Sequence, residues 1–290
     1  MSPKPCSGTS ATVDDQSDIF DRHRRRLRRD RAAPHFAAYD FVRAQMLDGI
    51  AERLASVKRH FDDVLEIGCF DGGFTPAHAR RIVRIDAGHR FAAAAGGVQA
   101  DEDHLPIADA SVDLVISAGV FDTVNDVPGA LTLARRALRP DGLFLGAFLG
   151  GDSLSTLRGV LLEAEAARPA ARTHPRIDVR SAGDLLVRAG FALPVADTET
   201  LTVRYRDLFG LLRDLRGMAA TSLLPDPTAL SRDTLARAAA LFAERADADG
   251  RTAERFEIIA LTGWAPAPSQ PKPARRGSAT ASLAAALKPR

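Results

Sequence analysis

The residues best placed to do chemistry lie in four short stretches. Val64-Leu65-Glu66-Ile67 is an apolar run that meets Gly68-Cys69-Phe70-Asp71-Gly72-Gly73. A buried strand that turns on glycines lets the backbone approach a ligand and take up positive φ. A helix behind such a turn offers its N-terminal amides to polar groups. Asp86 closes the next apolar run, 20 residues after Glu66; an acid at that place accepts hydrogen bonds from two ribose hydroxyls. Asp101-Glu102-Asp103-His104 follows, where an acid can accept from an adenine amino group. Asp113-Leu114-Val115-Ile116-Ser117 puts a small polar residue at a strand's carboxyl end, the side on which open parallel sheets bind ligands. Each stretch alone has a plainer explanation: a common turn, a strand-end cap, a solvated loop. Their order is what gives specificity. The chain has neither a P-loop lysine nor a G-x-G-x-x-G, so gripping a pyrophosphate is not the purpose. A nucleoside without pyrophosphate fits better, and that points to S-adenosyl-L-methionine.

The elements that must hold these residues alternate. Phe36–Val57 has the pattern of an amphipathic helix, Asp63–Ile67 of a buried strand, Thr75–Arg81 of a short helix and Ile82–Asp86 of a second strand. Ser111–Ser117 is a strand and Val127–Leu138 a helix, closed by a turn at Arg139-Pro140-Asp141-Gly142 before the strand Gly142–Leu149. Helices over Ser153–Ala167, Ser181–Ala189, Arg206–Ala220 and Ser231–Glu244 accompany late strands at Thr200–Arg204 and Arg255–Trp264. Strands alternating with helices predict an α/β fold, a doubly wound, mostly parallel Rossmann-like sheet with helical additions in the C-terminal half.

Composition bounds the rest. The 290 residues are 46% hydrophobic, enough for one large core. The formal net charge of +2 argues against a nucleic-acid coat. That total hides an asymmetry: residues 1–31 carry +3 and those after Trp264 carry +5, so the core between them is −6. Residues 1–17 and 265–290 are Pro/Ser/Ala-rich and predicted to be disordered, leaving 18–264 as one domain. Residues 22–31 hold seven arginines, read either as a solvated helix face or as a docking patch for an acidic partner. Cys6 and Cys69 are too few for a disulfide framework or a thiolate zinc site. The seven histidines mark no facial triad, so no metal is expected. No apolar run is long enough to span a membrane, so a bacterial cytoplasmic protein is expected, with at most peripheral contact with the inner membrane.

The chemistry-bearing stretches resemble the class I methyltransferase superfamily. Further motifs resemble, within it, the bacterial relatives of the mitochondrial complex I assembly factor that carries a methyltransferase fold. These are Ile19-Phe20-Asp21-Arg22, Leu138-Arg139-Pro140-Asp141-Gly142, Gly150-Gly151-Asp152-Ser153-Leu154, Arg188-Ala189-Gly190-Phe191, Thr202-Val203-Arg204-Tyr205 and Asp214-Leu215-Arg216-Gly217-Met218. The resemblance implies that Glu66, Gly68, Cys69 and Gly72 line the methionine and ribose. It places Asp86 on the ribose, Asp101 and Glu102 at the adenine, and Ser117 near the sulfonium. Two departures stand out: Phe70 replaces the second glycine of the first motif, and Asp122-Thr123 replaces a His-Trp pair before Val124-Asn125-Asp126. Methyl transfer runs on proximity and orientation; if an acceptor needs a base, Asp122, Asp152 and Tyr205 are the candidates. The resemblance also implies arginine hydroxylation of a respiratory complex I subunit, which these residues alone do not derive. The leading expectation is an S-adenosylmethionine-binding enzyme modifying a protein during complex assembly. The alternatives are a malonyl-carrier or small-molecule O-methyltransferase and a non-enzymatic assembly chaperone.

Overall fold

The computed structural model describes residues 18–166, 169–225 and 228–271. Residues 1–17 and 272–290, in the ends expected to be disordered, lie outside the described residues. Seven strands form one sheet in the order β3-β2-β1-β4-β5-β7-β6. β1 (Asp63–Ile67), β2 (Arg81–Asp86), β3 (Val98–Gln99), β4 (Val112–Ala118) and β5 (Leu138–Leu149) are parallel. β7 (Thr252–Trp264) inserts antiparallel between β5 and the edge strand β6 (Ala192–Tyr205). The central strands are almost continuously apolar because both faces are covered. One face carries α3 (His89–Ala94), α4 (Val127–Ala137) and α6 (Val179–Arg188). The other carries α2 (Phe41–Ser56), α5 (Ser155–Ala164), α7 (Leu208–Gly217) and α8 (Arg232–Glu244). α1 (Arg22–Ala32) lies beyond the carboxyl ends of the parallel strands.

Helix starts follow side-chain chemistry. Asp21, Asp126, Asp178, Asp207 and Ser231 each accept from the amide three residues on, satisfying a donor that the helix leaves free. α2, α3 and α5 start without a side-chain cap; at α5, Leu154 sits at φ 58° and caps nothing. Glu254 of β7 takes over, accepting from the Thr156 and Leu157 amides at 3.1 and 2.7 Å.

Three expectations are corrected. No helix forms over Thr75–Arg81: Pro76 and His78 at φ 70° interrupt it, so β1 and β2 are joined by an irregular crossover. The helix expected over Phe36–Val57 breaks at Tyr39 and Asp40 into a 3-10 turn (Ala33–Ala38) and α2. Tyr39 instead packs on Gly217, where a Cβ would come within 2.1 Å of its ring. The turn at Arg139–Gly142 is a bulge inside β5, across which the register jumps from Val112↔Leu138 to Leu114↔Leu143. α3 and β3 had no periodic signal strong enough to find. Beyond Trp264 the chain continues against the sheet: the Ala265 amide donates to the Gly142 carbonyl at 2.8 Å.

Candidate active site

The four stretches converge at the carboxyl ends of β1, β2 and β4, where the sheet order reverses and an open α/β sheet forms a crevice. Five acids there are met by arginines from the N-terminal helices. Arg29 of α1 donates through Nε and Nη2 to Asp86 at 2.7 and 2.5 Å. Arg25, one turn earlier, donates both terminal nitrogens to Glu102 at 2.6 and 2.8 Å. Arg26 pairs with Asp101 at 2.5 Å. Glu66 lies between Arg43 of α2 at 2.9 Å and Arg84 of β2 at 3.0 Å. Arg22 forks onto Asp103 at 2.7 Å through each nitrogen. Burial pushes the Asp103 carboxyl upward, but bonds from Arg22 and His104 together hold it down at about 2.

The glycine turn is closed by the protein itself. Gly68 is at φ 70°, and a Cβ there would stand 2.3 Å from Val120. Gly72 is at φ 72° against Ala95. Phe70, also at positive φ, is buried in a cluster with Phe36 at 4.7 Å and Phe91 at 5.1 Å. The guanidinium of Arg29 lies 4.0 Å over its ring and that of Arg43 at 4.8 Å, in the geometry of a cation–π contact. Cys69 is buried, and its surroundings push the thiol up to about 12, removing it as a nucleophile. Ser117 sits fully buried at the tip of β4, its hydroxyl without a partner among the described residues.

Beside this crevice lies a cavity of about 660 Å³, walled by Phe36, Tyr39, Arg43, Phe70, Asp122 and Arg176. Of the three candidate bases only Asp122 reaches it. Asp122 is buried, which pushes its carboxyl upward; Arg176 at 3.3 Å only partly counters this. Asp152 is exposed, on the loop before α5, where its amide donates to Glu257 at 2.9 Å. Neither a base role in the cavity nor a cap on α5 falls to it. Tyr205 is buried in the cluster on the α5–α7–α8 face, where burial pushes its hydroxyl upward. His174 is structural: it packs edge-on against Phe20 at 5.0 Å and its Nε2 accepts from the Leu223 amide at 2.7 Å. Burial drives its pKa to about 4, so it is neutral. Asp101, Asp103 and His104 are the acid and histidine cluster compact enough for a metal among the described residues, but its carboxylates are committed to Arg26 and Arg22.

The arginines are the part that sequence reasoning missed. Their signal was present as spacing: Arg22, Arg25 and Arg29 fall on one helical face, with Arg26 beside Arg22. The run had been read as solvated or as a patch for another molecule, yet its partners are acids of the same chain. The second signal was the family-specific segment. Asn125 clamps the Phe20 backbone, accepting from its amide at 2.8 Å and donating to its carbonyl at 2.9 Å. This ties the start of α1 to the loop after β4.

Residues 65–146 match the methyltransferase domain family. Over 285 residues the chain is 33% identical to the mitochondrial arginine hydroxylase NDUFAF5 of Danio rerio, covering 92% of this chain and 89% of that protein. The chain belongs to the methyltransferase family that includes NDUFAF5. The human NDUFAF5 is 34% identical, over 92% of this chain and 82% of its own length. The malonyl-[acyl-carrier protein] O-methyltransferase of Laribacter hongkongensis is 30% identical, over 85% and 90%. Among solved structures, the YcgJ protein of Bacillus subtilis superposes with a TM-score of 0.54 at 15% identity, over 77% of this chain and 99% of that one. Membership makes this NDUFAF5 relative an S-adenosylmethionine-dependent methyltransferase-like enzyme.

With α1 docked, however, the crevice does not fit that cofactor. An ionised carboxylate offers about four acceptor positions. On Asp86 all are taken, by the two Arg29 nitrogens and by the amides of Phe70 at 3.0 Å and Gly88 at 2.7 Å. None is left for two ribose hydroxyls. Glu102 is sealed beneath Arg25. No helix follows the glycine turn to offer amides.

Proposed function

We propose that this NDUFAF5 relative modifies an arginine side chain of a protein substrate, a subunit of respiratory complex I during assembly. The observation that carries the reading is the charge left available in the cavity. Arg25, Arg29, Arg43 and Arg176 all line it, and each is already engaged by Glu102, Asp86, Glu66 or Asp122. Asp40 also lines it, at the start of α2. Its carboxylate makes neither a helix cap nor an ion pair among the described residues. A cavity whose cations are each held in an ion pair and whose unpaired charged group is one carboxylate suits a cation, and a planar guanidinium matches a carboxylate in two bonds. Full-length similarity to arginine hydroxylases supports the same acceptor. No helix among the described residues is long and apolar enough to cross a membrane. We place the protein in the bacterial cytoplasm, meeting the nascent complex at the inner membrane.

The test is affinity capture from the native host followed by intact-mass analysis of recovered subunits. Gain of one oxygen on an arginine supports hydroxylation, and gain of one methyl group supports transfer. Asp40→Asn is expected to lower the modified fraction by about tenfold, the worth of one charge-assisted contact. A modification on a malonyl thioester with none on any captured protein would replace this reading with the O-methyltransferase one.

A further inference from the structure

We infer that α1 is an intramolecular plug: docked α1 and bound S-adenosylmethionine exclude each other, and the cofactor enters only when the arginine face of α1 leaves the crevice. The first support is occupancy. Arg29 and Arg25 consume the acceptors of Asp86 and Glu102, the two acids that a nucleoside would use.

The second support is independent of those acids. Phe70 and Thr123 hold the α1 arginines by contacts other than those acids, and Asp122 holds Arg176 of the adjoining cavity wall. Phe70 supplies the ring under Arg29. Thr123 Oγ1 accepts from Arg25 Nε at 3.1 Å. Asp122 takes Arg176. A glycine at 70 would leave the Arg29 guanidinium without its aromatic face.

The third support is the way α1 is held. Its buried residues are Arg25, Arg29 and Ala32, so one alanine is all the apolar side chain it contributes. A helix held by ion pairs gains less net free energy from docking than one seated by apolar side chains, because each pair gives up hydration to form. Undocking returns the charges to water. The plug is therefore reversible, unlike a helix seated by a leucine stripe. Gly88 sets the fit from below: a Cβ there would stand 2.7 Å from Arg29 Cβ.

The inference concerns cofactor access and does not depend on which substrate is modified. Calorimetry with S-adenosylmethionine on the full chain and on Arg25→Gln/Arg29→Gln tests it without substrate. Apparent affinity falls with the fraction of molecules in the open state, so the double variant is expected to bind at least about tenfold tighter than the wild type. Equal affinities overturn the plug, and so does absence of binding by a variant that still melts cooperatively. If that variant does not fold, Arg22→Gln/Arg26→Gln loosens the more exposed outer pairs and carries the same expectation. Hydrogen exchange on the wild type gives a second readout. Saturating S-adenosylmethionine is expected to speed exchange of the α1 amides, with α4 unchanged; unchanged or slower exchange in α1 overturns the proposal.

Discussion

A double-mutant cycle on Arg29 and Asp86 measures how firmly α1 is seated. The Arg29 side chain is 5% exposed and that of Asp86 is 0% exposed, so salt screens the pair little. Arg29→Met keeps the stem over Phe70 and removes the charge. Asp86 then retains only the Phe70 and Gly88 amides. Stranding one member of a buried pair costs about 3–5 kcal/mol; those two amides bring the expected loss to the lower end, about 3 kcal/mol. Asp86→Asn strands the guanidinium instead, with a similar loss. The double variant loses less than the sum, because neither charge is left alone; a coupling of about 2 kcal/mol is expected, within the range for residues in contact. Urea unfolding followed by the fluorescence of Trp264, the single tryptophan, reads all four proteins. In a domain of this size each single change lowers Tm by roughly 6–12 °C. The Arg26–Asp101 pair, with Arg26 44% exposed, serves as the contrast. Its coupling is expected under about 1 kcal/mol and to fade with added salt. A coupling between Arg29 and Asp86 below about 0.5 kcal/mol would refute the seating of α1 and, with it, the account of a sealed crevice.

Other expectations follow from single sites. Phe70→Gly removes a buried ring, a loss of about 3–5 kcal/mol, and regains about 1 kcal/mol from a backbone at positive φ; a Tm unchanged within about 2 °C would show that the aromatic cluster is not formed. Glu254→Ala releases the two α5 amides it accepts and is expected to cost about 1–2 kcal/mol by urea midpoint, with hydrogen exchange raised first in α5. His174 has a folded pKa near 4, below its unfolded value of about 6.5. The folded state therefore prefers the neutral ring: the contribution is complete above pH 6.5 and is lost as pH falls toward 4, by up to about 3 kcal/mol. His174→Gln, which can still accept from Leu223, is expected to flatten the stability profile between those values; an unaltered slope would reassign it.

The central sheet was legible because β1, β4 and β5 are buried on both faces and so are apolar almost without interruption. The antiparallel pair was legible only in part. β6 is an edge strand with most of its residues exposed, so half of it lacks the apolar marks of a strand. Asp86 was legible from its spacing to Glu66 and its place at a strand end, and Glu102 from the acidic run that follows a short apolar stretch. Their partners were not found. The spacing of the α1 arginines puts three on one helical face but does not tell whether that face meets water or acids 57 and 77 residues away. Helix α5 shows the same limit: Asp152 sits where a cap belongs, but the cap is Glu254, about a hundred residues later.

The charge asymmetry of the chain acquires a different meaning once α1 is placed. An acidic core between basic ends suggests basic segments held out toward partners. In the fold, the arginines on one face of α1 neutralise four crevice and loop carboxylates of that core. Arg24 on the far side donates to the Leu224 carbonyl at 2.5 Å. That leaves the half-buried Arg28, which makes no ion pair among the described residues, and the solvent-side edge, where Arg31 is exposed beside a 40% exposed Leu27. An acidic partner drawn to residues 22–31 therefore has little charge to bind while α1 is docked and much more once it is released. By linkage, any anion that binds the released helix more tightly than the docked one favours an open crevice. On the plug proposal, contact with an acidic partner and cofactor entry would be two readings of one equilibrium, set by which carboxylates hold Arg25 and Arg29.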